Sequence, residues 1–230
     1  MSELTESLKT VESDRGVSGL IVTSAQAGIF SGGLDISELY QPTPERLTAF
    51  WRALQDLWLT FYGLKTPTVA AINGAAPAGG CMLALCCDER IMLSSARIIG
   101  LNETKLGIVA PPNIFEIPFR AVVGARHSER LLQLGKLLSP AEALQVGLVD
   151  AVVDSEQALL ERAHATLKEY IAVPAGARVR SKLIARGPAI EKLQRERATD
   201  LANIPAIIGE PSVQKNIGLY LESLKKKPQK

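Results

Sequence analysis

Residues 67–87 read PTVAAINGAAPAGGCMLALCC, and their order decides the fold. The run 67–72 is short, uncharged and partly β-branched, which predicts a buried strand. Asn73-Gly74 reads as a turn. Ala78-Gly79-Gly80 then opens a helix through Met82 to Cys87. The same alternation continues on both sides. Upstream, residues 2–14 read as the end of a helix, and Gly19-Leu20-Ile21-Val22-Thr23 as a second buried strand. A Gly/Ser loop over 24–33 follows. Thr43-Pro44, an N-cap with proline at the first helical position, starts a helix that runs to about Tyr62. Its stripe of Phe50, Trp51, Leu54, Leu57, Trp58 and Phe61 has helical spacing and reads as core, not as a ligand-stacking box. Downstream, residues 90–93 and 98–99 read as short strands. Strand–helix–strand order implies an α/β fold, with helices packed on a parallel sheet.

From Pro112 the pattern turns helical, with helices expected near 113–123, 128–134, 140–146, 155–172, 176–185, 189–208 and 212–226. A strand near 151–153 interrupts them, and Asp154 with Gln157 resembles a capping box. Bulk properties narrow the function classes. The chain has 230 residues, 26 Lys+Arg against 24 Asp+Glu, and a net charge of +2. That balance offers no electrostatic footprint for nucleic acid or a membrane surface. Lys225-Lys226-Lys227 with Lys230 reads as a solvated tail. The polar opening MSELTESLKT has the features of neither a signal nor a transit peptide. Cys81, Cys86 and Cys87 form no CxxC pair and have no histidine nearby, so they read as buried thiols in a reducing compartment, not as a zinc or disulfide framework.

Chemistry is concentrated in three segments. Phe30-Ser31-Gly32-Gly33-Leu34-Asp35 and Asn73-Gly74-Ala75-Ala76-Pro77-Ala78-Gly79-Gly80 each follow a predicted strand and precede a helical stretch. Glycine lets backbone approach a ligand closely. Amides at a helix start are unpaired and can face a developing negative charge. Two that converge would form an oxyanion hole. Neither segment has GxGxxG spacing or a P-loop lysine, which argues against nucleotide phosphate. The third, Gly100-Leu101-Asn102-Glu103-Thr104-Lys105-Leu106-Gly107, sets one carboxylate between two apolar runs. Each segment alone is also readable as an ordinary turn or cap.

In combination, the order FxGGLDI, INGxxxAGG, GLNExxLGI resembles the crotonase (enoyl-CoA hydratase/isomerase) superfamily, and SPAEAL…GLVD at 139–150 adds a fourth match. Within that family the GLNE segment, Met82 and the ending SVQKNIGLYLESLKK look most like the Δ3,Δ2-enoyl-CoA isomerase branch. The resemblance implies a crotonase-like ββα spiral core over 1–111 and a helical trimerisation and pocket-covering region over 112–230. Against the family pattern the chain starts inside the first helix, so the N-terminal strands and the coenzyme A loop before it are expected to be absent. Leu34 and Gly79 match the two oxyanion-hole amides. Gly32, Gly33, Asp35 and Ile36 match the loop that lines the acyl-CoA. Asn102 matches a substrate-contacting position, and Glu103 the catalytic carboxylate. The implied substrate is an acyl-CoA thioester, the implied assembly a homotrimer and the implied compartment the mitochondrial matrix. No metal or redox cofactor is called for, coenzyme A being part of the substrate, and neither nucleic acid nor membrane is expected as a partner.

Family hydratases carry a second glutamate where this chain has Met82. Hydration needs one group to orient water and another to manage the proton; a thioether does neither. A one-carboxylate 1,3-proton transfer fits, with Glu103 taking a proton from C2 of a 3-enoyl-CoA and returning it at C4. Two other readings stay open: an enoyl-CoA hydratase or other crotonase-type enzyme, and a non-catalytic CoA-binding or RNA-binding homologue.

Overall fold

The computed structural model describes residues 1–226. Along the chain come α1 (Ser2–Ser13), β1 (Leu20–Val22), β2 (Gly28–Ile29), a 3₁₀ turn at Ile36–Leu39, α2 (Pro44–Tyr62), β3 (Thr68–Ile72), β4 (Gly74–Pro77), α3 (Gly79–Cys86), β5 (Glu89–Leu93) and β6 (Ile99–Gly100). A second 3₁₀ turn (Glu103–Leu106) and a π-helical turn (Pro112–Glu116) lead into α4 (Ile117–Leu134), α5 (Pro140–Gln145), β7 (Ala151–Val153), α6 (Glu156–Ala172), α7 (Ala175–Ile208) and α8 (Pro211–Lys226).

The strands form two sheets, ordered β1-β3-β5-β7 and β2-β4-β6, and all their pairings are parallel. The expected α/β fold is therefore present, with one correction at its centre. Asn73-Gly74 does not turn the chain back. It is a corner at which β3 leaves the larger sheet and β4 enters the smaller one. Asn73 holds that corner by donating from Nδ2 to the Ser24 carbonyl at 2.7 Å. Glycine is required next to it because β2 runs so close: a Cβ on Gly74 would lie 2.1 Å from the Gly28 carbonyl carbon and from the Ile29 nitrogen.

Burial follows position in the sheet. β3 is buried along its whole length between two neighbours, whereas β1, an edge strand, is only half-buried, not buried as its sequence suggested. The helical half is not separate from the sheet, since β7 pairs with β5 and α6 packs on β3 and β5. Buried Arg90 ties β5 to the chain entering β7, donating to the Asp150 carboxylate at 2.8 Å and to the Leu148 carbonyl at 2.9 Å. Asp88 pairs with Lys182 at 2.9 Å and Arg186 at 3.1 Å, fastening α7 to the end of α3.

Several helix boundaries are set by single residues. Thr43 caps α2 through its hydroxyl, which accepts from the Arg46 amide. α4 breaks at Gly124, where φ is +77°, matching the two helices expected there. The break expected before Pro188 does not occur, and α7 runs through it. The residue before it is Gly187, which has no Cβ to clash with the proline ring. The expected Asp154–Gln157 capping box is replaced by Ser155, whose hydroxyl accepts from the Ala158 amide, while Gln157 pairs with Glu161 along the helix. The three cysteines are free and buried, and burial pushes all three thiols up, Cys87 to about 12. Among the described residues no helix is long and apolar enough to cross a membrane. Of the lysine tail, Lys225 is exposed, and Lys227 and Lys230 lie outside the described residues.

Candidate active site

Because β2, β4 and β6 are parallel, their C-terminal ends lie side by side. Residues 30–36 follow β2, residues 78–80 follow β4 and residues 101–106 follow β6. The three segments separated in sequence therefore emerge at one edge of one small sheet, the place where parallel sheets commonly hold ligands. Hydrogen bonds lock them together. Phe30 and Ser31 donate to the Ala75 carbonyl, and the Ala78 amide donates to the Gly100 carbonyl at 2.8 Å.

The turn between β4 and α3 is strained. Ala78 has φ +50° and ψ −118°, the first central position of a type II′ turn, where glycine is usual. That turn presents the Gly79 amide at the start of α3. Opposite it, Gly33 has φ +89°, and the Leu34 amide that follows lies beside Gly79. A Cβ on Gly79 would lie 2.9 Å from the Leu34 nitrogen, and one on Gly33 would lie 3.1 Å from the Gly79 nitrogen. Neither the Leu34 nor the Gly79 amide donates to an acceptor among the described residues. Two adjacent unpaired N–H groups are what an oxyanion needs.

Glu103 opens its 3₁₀ turn, three residues beyond Gly100. Both its carboxylate oxygens are buried, and no other residue among those described hydrogen-bonds to them. Burial raises its pKa to about 7, opposed only by its own backbone amide and with no contribution from a neighbouring charge. An unpaired buried carboxylate is costly and costs less when protonated. The nearby Cys81 thiol is held neutral by burial first and by Glu103 second.

The remaining candidates divide. Gly32 is exposed, and Ile36 is half-buried against the core. The Asp35 carboxylate is occupied by capping, accepting from the Ser37 amide at 3.0 Å and its hydroxyl at 2.6 Å. Asn102 precedes Glu103 as a half-buried residue whose side chain makes no capping bond. A cavity of about 490 Å³ is lined by Gly33, Leu34 and Asp35 and, from α2, by Arg46, Ala49, Phe50 and Ala53. Phe50, read from sequence as core, is half-buried: it packs against the core and also lines this cavity. Gly79, Asn102 and Glu103 lie outside its lining. Sequence reasoning missed Gln214 and Asn216 on α8, which reach the loops on either side of the site. Their only signal was polarity beside the buried Val213 and Ile217.

A family model described as enoyl-CoA hydratase/isomerase matches residues 1–229. The chain belongs to this family. Mouse mitochondrial enoyl-CoA delta isomerase 1 is 43% identical over 99% of this chain and 78% of its own length, and its human counterpart 43% identical over 98% and 74%. The crystal structure of human mitochondrial delta3-delta2-enoyl-CoA isomerase superposes with a TM-score of 0.96 at 42% identity, covering 99% of this chain and 88% of that one. An enoyl-CoA hydratase from Bacillus halodurans gives 0.82 at 26% identity, covering 95% and 88%. The fold is thus the crotonase fold expected from the motifs. Met82, where the motif resemblance implies a second glutamate in hydratases, is fully buried, with its sulfur 3.8 Å from the Cys86 sulfur.

Proposed function

We propose that this chain is a Δ3,Δ2-enoyl-CoA isomerase that moves the double bond of a 3-enoyl-CoA to the 2-trans position in unsaturated fatty acid β-oxidation. The observation that carries the reading is the Glu103 carboxylate: buried, unpaired and with a pKa raised to about 7. A group poised near neutrality can take a proton and return it. The thioester oxygen sits between the Leu34 and Gly79 amides. Glu103 removes the C2 proton, which both the carbonyl and the adjacent alkene acidify. The electron pair spreads into a dienolate whose oxygen the two amides stabilise. The same carboxyl then delivers the proton to C4, the double bond settles between C2 and C3, and Glu103 is ionised again. Gly32, Gly33, Asp35 and Ile36 shape the acyl-CoA path, and Asn102 contacts substrate beside the base. No step calls on a metal or a redox cofactor.

The discriminating experiment offers purified protein two substrates. With 3-enoyl-CoA, the conjugated 2-enoyl thioester is expected to accumulate. With 2-enoyl-CoA in water, no 3-hydroxyacyl-CoA is expected. Hydration without isomerisation would transfer the chain to the hydratases, and no turnover of either substrate would leave a binding protein.

The relatives' names place them in the mitochondrion, and the same compartment is expected for this chain. The assembly proposed is a homotrimer built through residues 112–230. That half exposes apolar side chains that such contact would cover, among them Leu134 at 54% and Ile184 at 78%. Sedimentation equilibrium is expected to give three times the 24.7 kDa chain mass; a monomer at micromolar concentration would rule the trimer out.

A further inference from the structure

We infer that α8 is a brace between the two halves of the catalytic site, and that Gln214 and Asn216 are positioning residues for the double-bond shift. The inference rests on the isomerase reading above. α8 buries Val213 and Ile217 in the core, and the two amide side chains beside them point to different loops.

Gln214 holds the oxyanion side. Its Oε1 accepts from the Gln41 amide at 2.8 Å, and its Nε2 donates to the Leu39 carbonyl at 2.9 Å and to the Ile208 carbonyl at 2.8 Å. Gln41 has φ +46°, an unfavourable conformation for a side-chain-bearing residue, and the bond from its amide to Gln214 helps to keep it there. Tyr40 packs over Gly218, where a Cβ would come within 3.1 Å of the ring. The chain leaving the 3₁₀ turn that follows Leu34 is thus docked on α8 through three successive residues, Leu39 to Gln41.

Asn216 holds the base side. Its Nδ2 donates to the Leu106 carbonyl at 3.3 Å, at the end of the 3₁₀ turn that begins with Glu103. The next residue, Gly107, has φ +77°, and a Cβ there would stand 3.1 Å from Asn216 Nδ2. No other residue among those described holds the Glu103 carboxylate by a hydrogen bond, so its position is inherited from the backbone of a four-residue turn. Such turns are short and have poor internal hydrogen-bond geometry. Asn216 supplies an external bond to that turn, and α8 carries it to the loop on the oxyanion side. A misplacement of about 1 Å between base and oxyanion donors is enough to cost about 10²-fold in rate.

The test uses the full chain with 3-enoyl-CoA, comparing Asn216→Leu, Gln214→Leu and the conservative Asn216→Gln. Ser223→Ala on the exposed face of the same helix serves as control. Asn216→Leu and Gln214→Leu are each expected to lower kcat by about 10- to 100-fold, with KM within about threefold. In Asn216→Leu, the rise of kcat/KM through about pH 7 should move to lower pH as water reaches the loosened carboxylate. Asn216→Gln, which keeps a donor, should recover part of kcat. Should the leucine variant not fold, Asn216→Ser carries the same readouts. Folded variants with wild-type kcat and an unmoved pH profile would overturn the brace, even if their melting temperatures fell. A wild-type chain that shifts no double bond would instead sink the isomerase reading itself.

Discussion

Glu103→Gln is expected to lower kcat for double-bond transfer by at least about 10³-fold, while KM changes only a few-fold. The amide keeps the shape of the side chain but can neither accept the C2 proton nor deliver one to C4. No second carboxylate acts on this position: burial alone raises the Glu103 pKa, and residue 82, where the motif resemblance implies a second glutamate in hydratases, is methionine. Single-turnover measurement of the conjugated product checks the loss directly. A variant within about tenfold of wild type would remove Glu103 from the proton path.

The same substitution should make the protein more stable at pH 8. The Glu103 carboxyl rises from its ordinary 4.5 to about 7 in the fold. Between those values the folded state holds a proton that the unfolded state has lost, so stability falls as pH rises through this window and the loss is complete above it. Glutamine carries no charge to bury. Its advantage is therefore absent below about pH 4.5 and reaches up to about 3 kcal/mol at pH 8, because each pH unit between the unfolded and folded pKa is worth about 1.4 kcal/mol. For a chain of this size that is on the order of 5–10 °C in Tm. Thermal melts of both proteins at pH 5 and pH 8 test the sign, and an equal Tm difference at the two values would contradict it. In wild type, kcat/KM should rise through about pH 7 as the base ionises.

How far the sequence reveals this site depends on which interactions are local. Thr43-Pro44 marks a helix start because capping involves neighbours only. The run 68–72 reads as a buried strand because burial on both faces excludes every polar side chain but Thr68. The corner at Asn73-Gly74 looks like a turn because both need a residue without a Cβ; only the strand passing within 2.1 Å of that Cβ position distinguishes them. β2, β4 and β6 are at most four residues long, too short for a period to appear, yet they assemble the site. Glu103 was legible as a candidate only through the ordered motifs, because nothing local to it encodes burial without a partner. Gln214 and Asn216 were invisible because the bonds that tie them to the site loops, to Leu39, Gln41 and Leu106, span more than a hundred residues of sequence.

Gly79→Ala is the second large effect, and it tests the oxyanion hole without touching the base. A Cβ at this position would lie 2.9 Å from the Leu34 nitrogen, 3.1 Å from Gly33 Cα and 3.2 Å from the Gly33 carbonyl carbon. All three are backbone atoms, so no side chain can swing away, and relief must come from separating the two loops. Such a displacement moves the Leu34 and Gly79 amides apart and places a methyl group between them and the dienolate oxygen. Loss of an oxyanion donor costs about 10²–10³-fold in kcat, and the variant should sit at or beyond the upper end because both donors are displaced. Overpacking should also cost about 1–3 kcal/mol of stability, so activity is to be measured below the transition, on protein whose circular dichroism matches wild type. The two losses have different signatures. A folding defect lowers the active fraction and leaves the pH profile unchanged, whereas a broken oxyanion hole lowers kcat in every folded molecule and weakens binding of a dienolate-like thioester more than that of the ground-state substrate. Equal weakening of the two would mean that the Gly79 amide holds the substrate carbonyl without favouring the transition state.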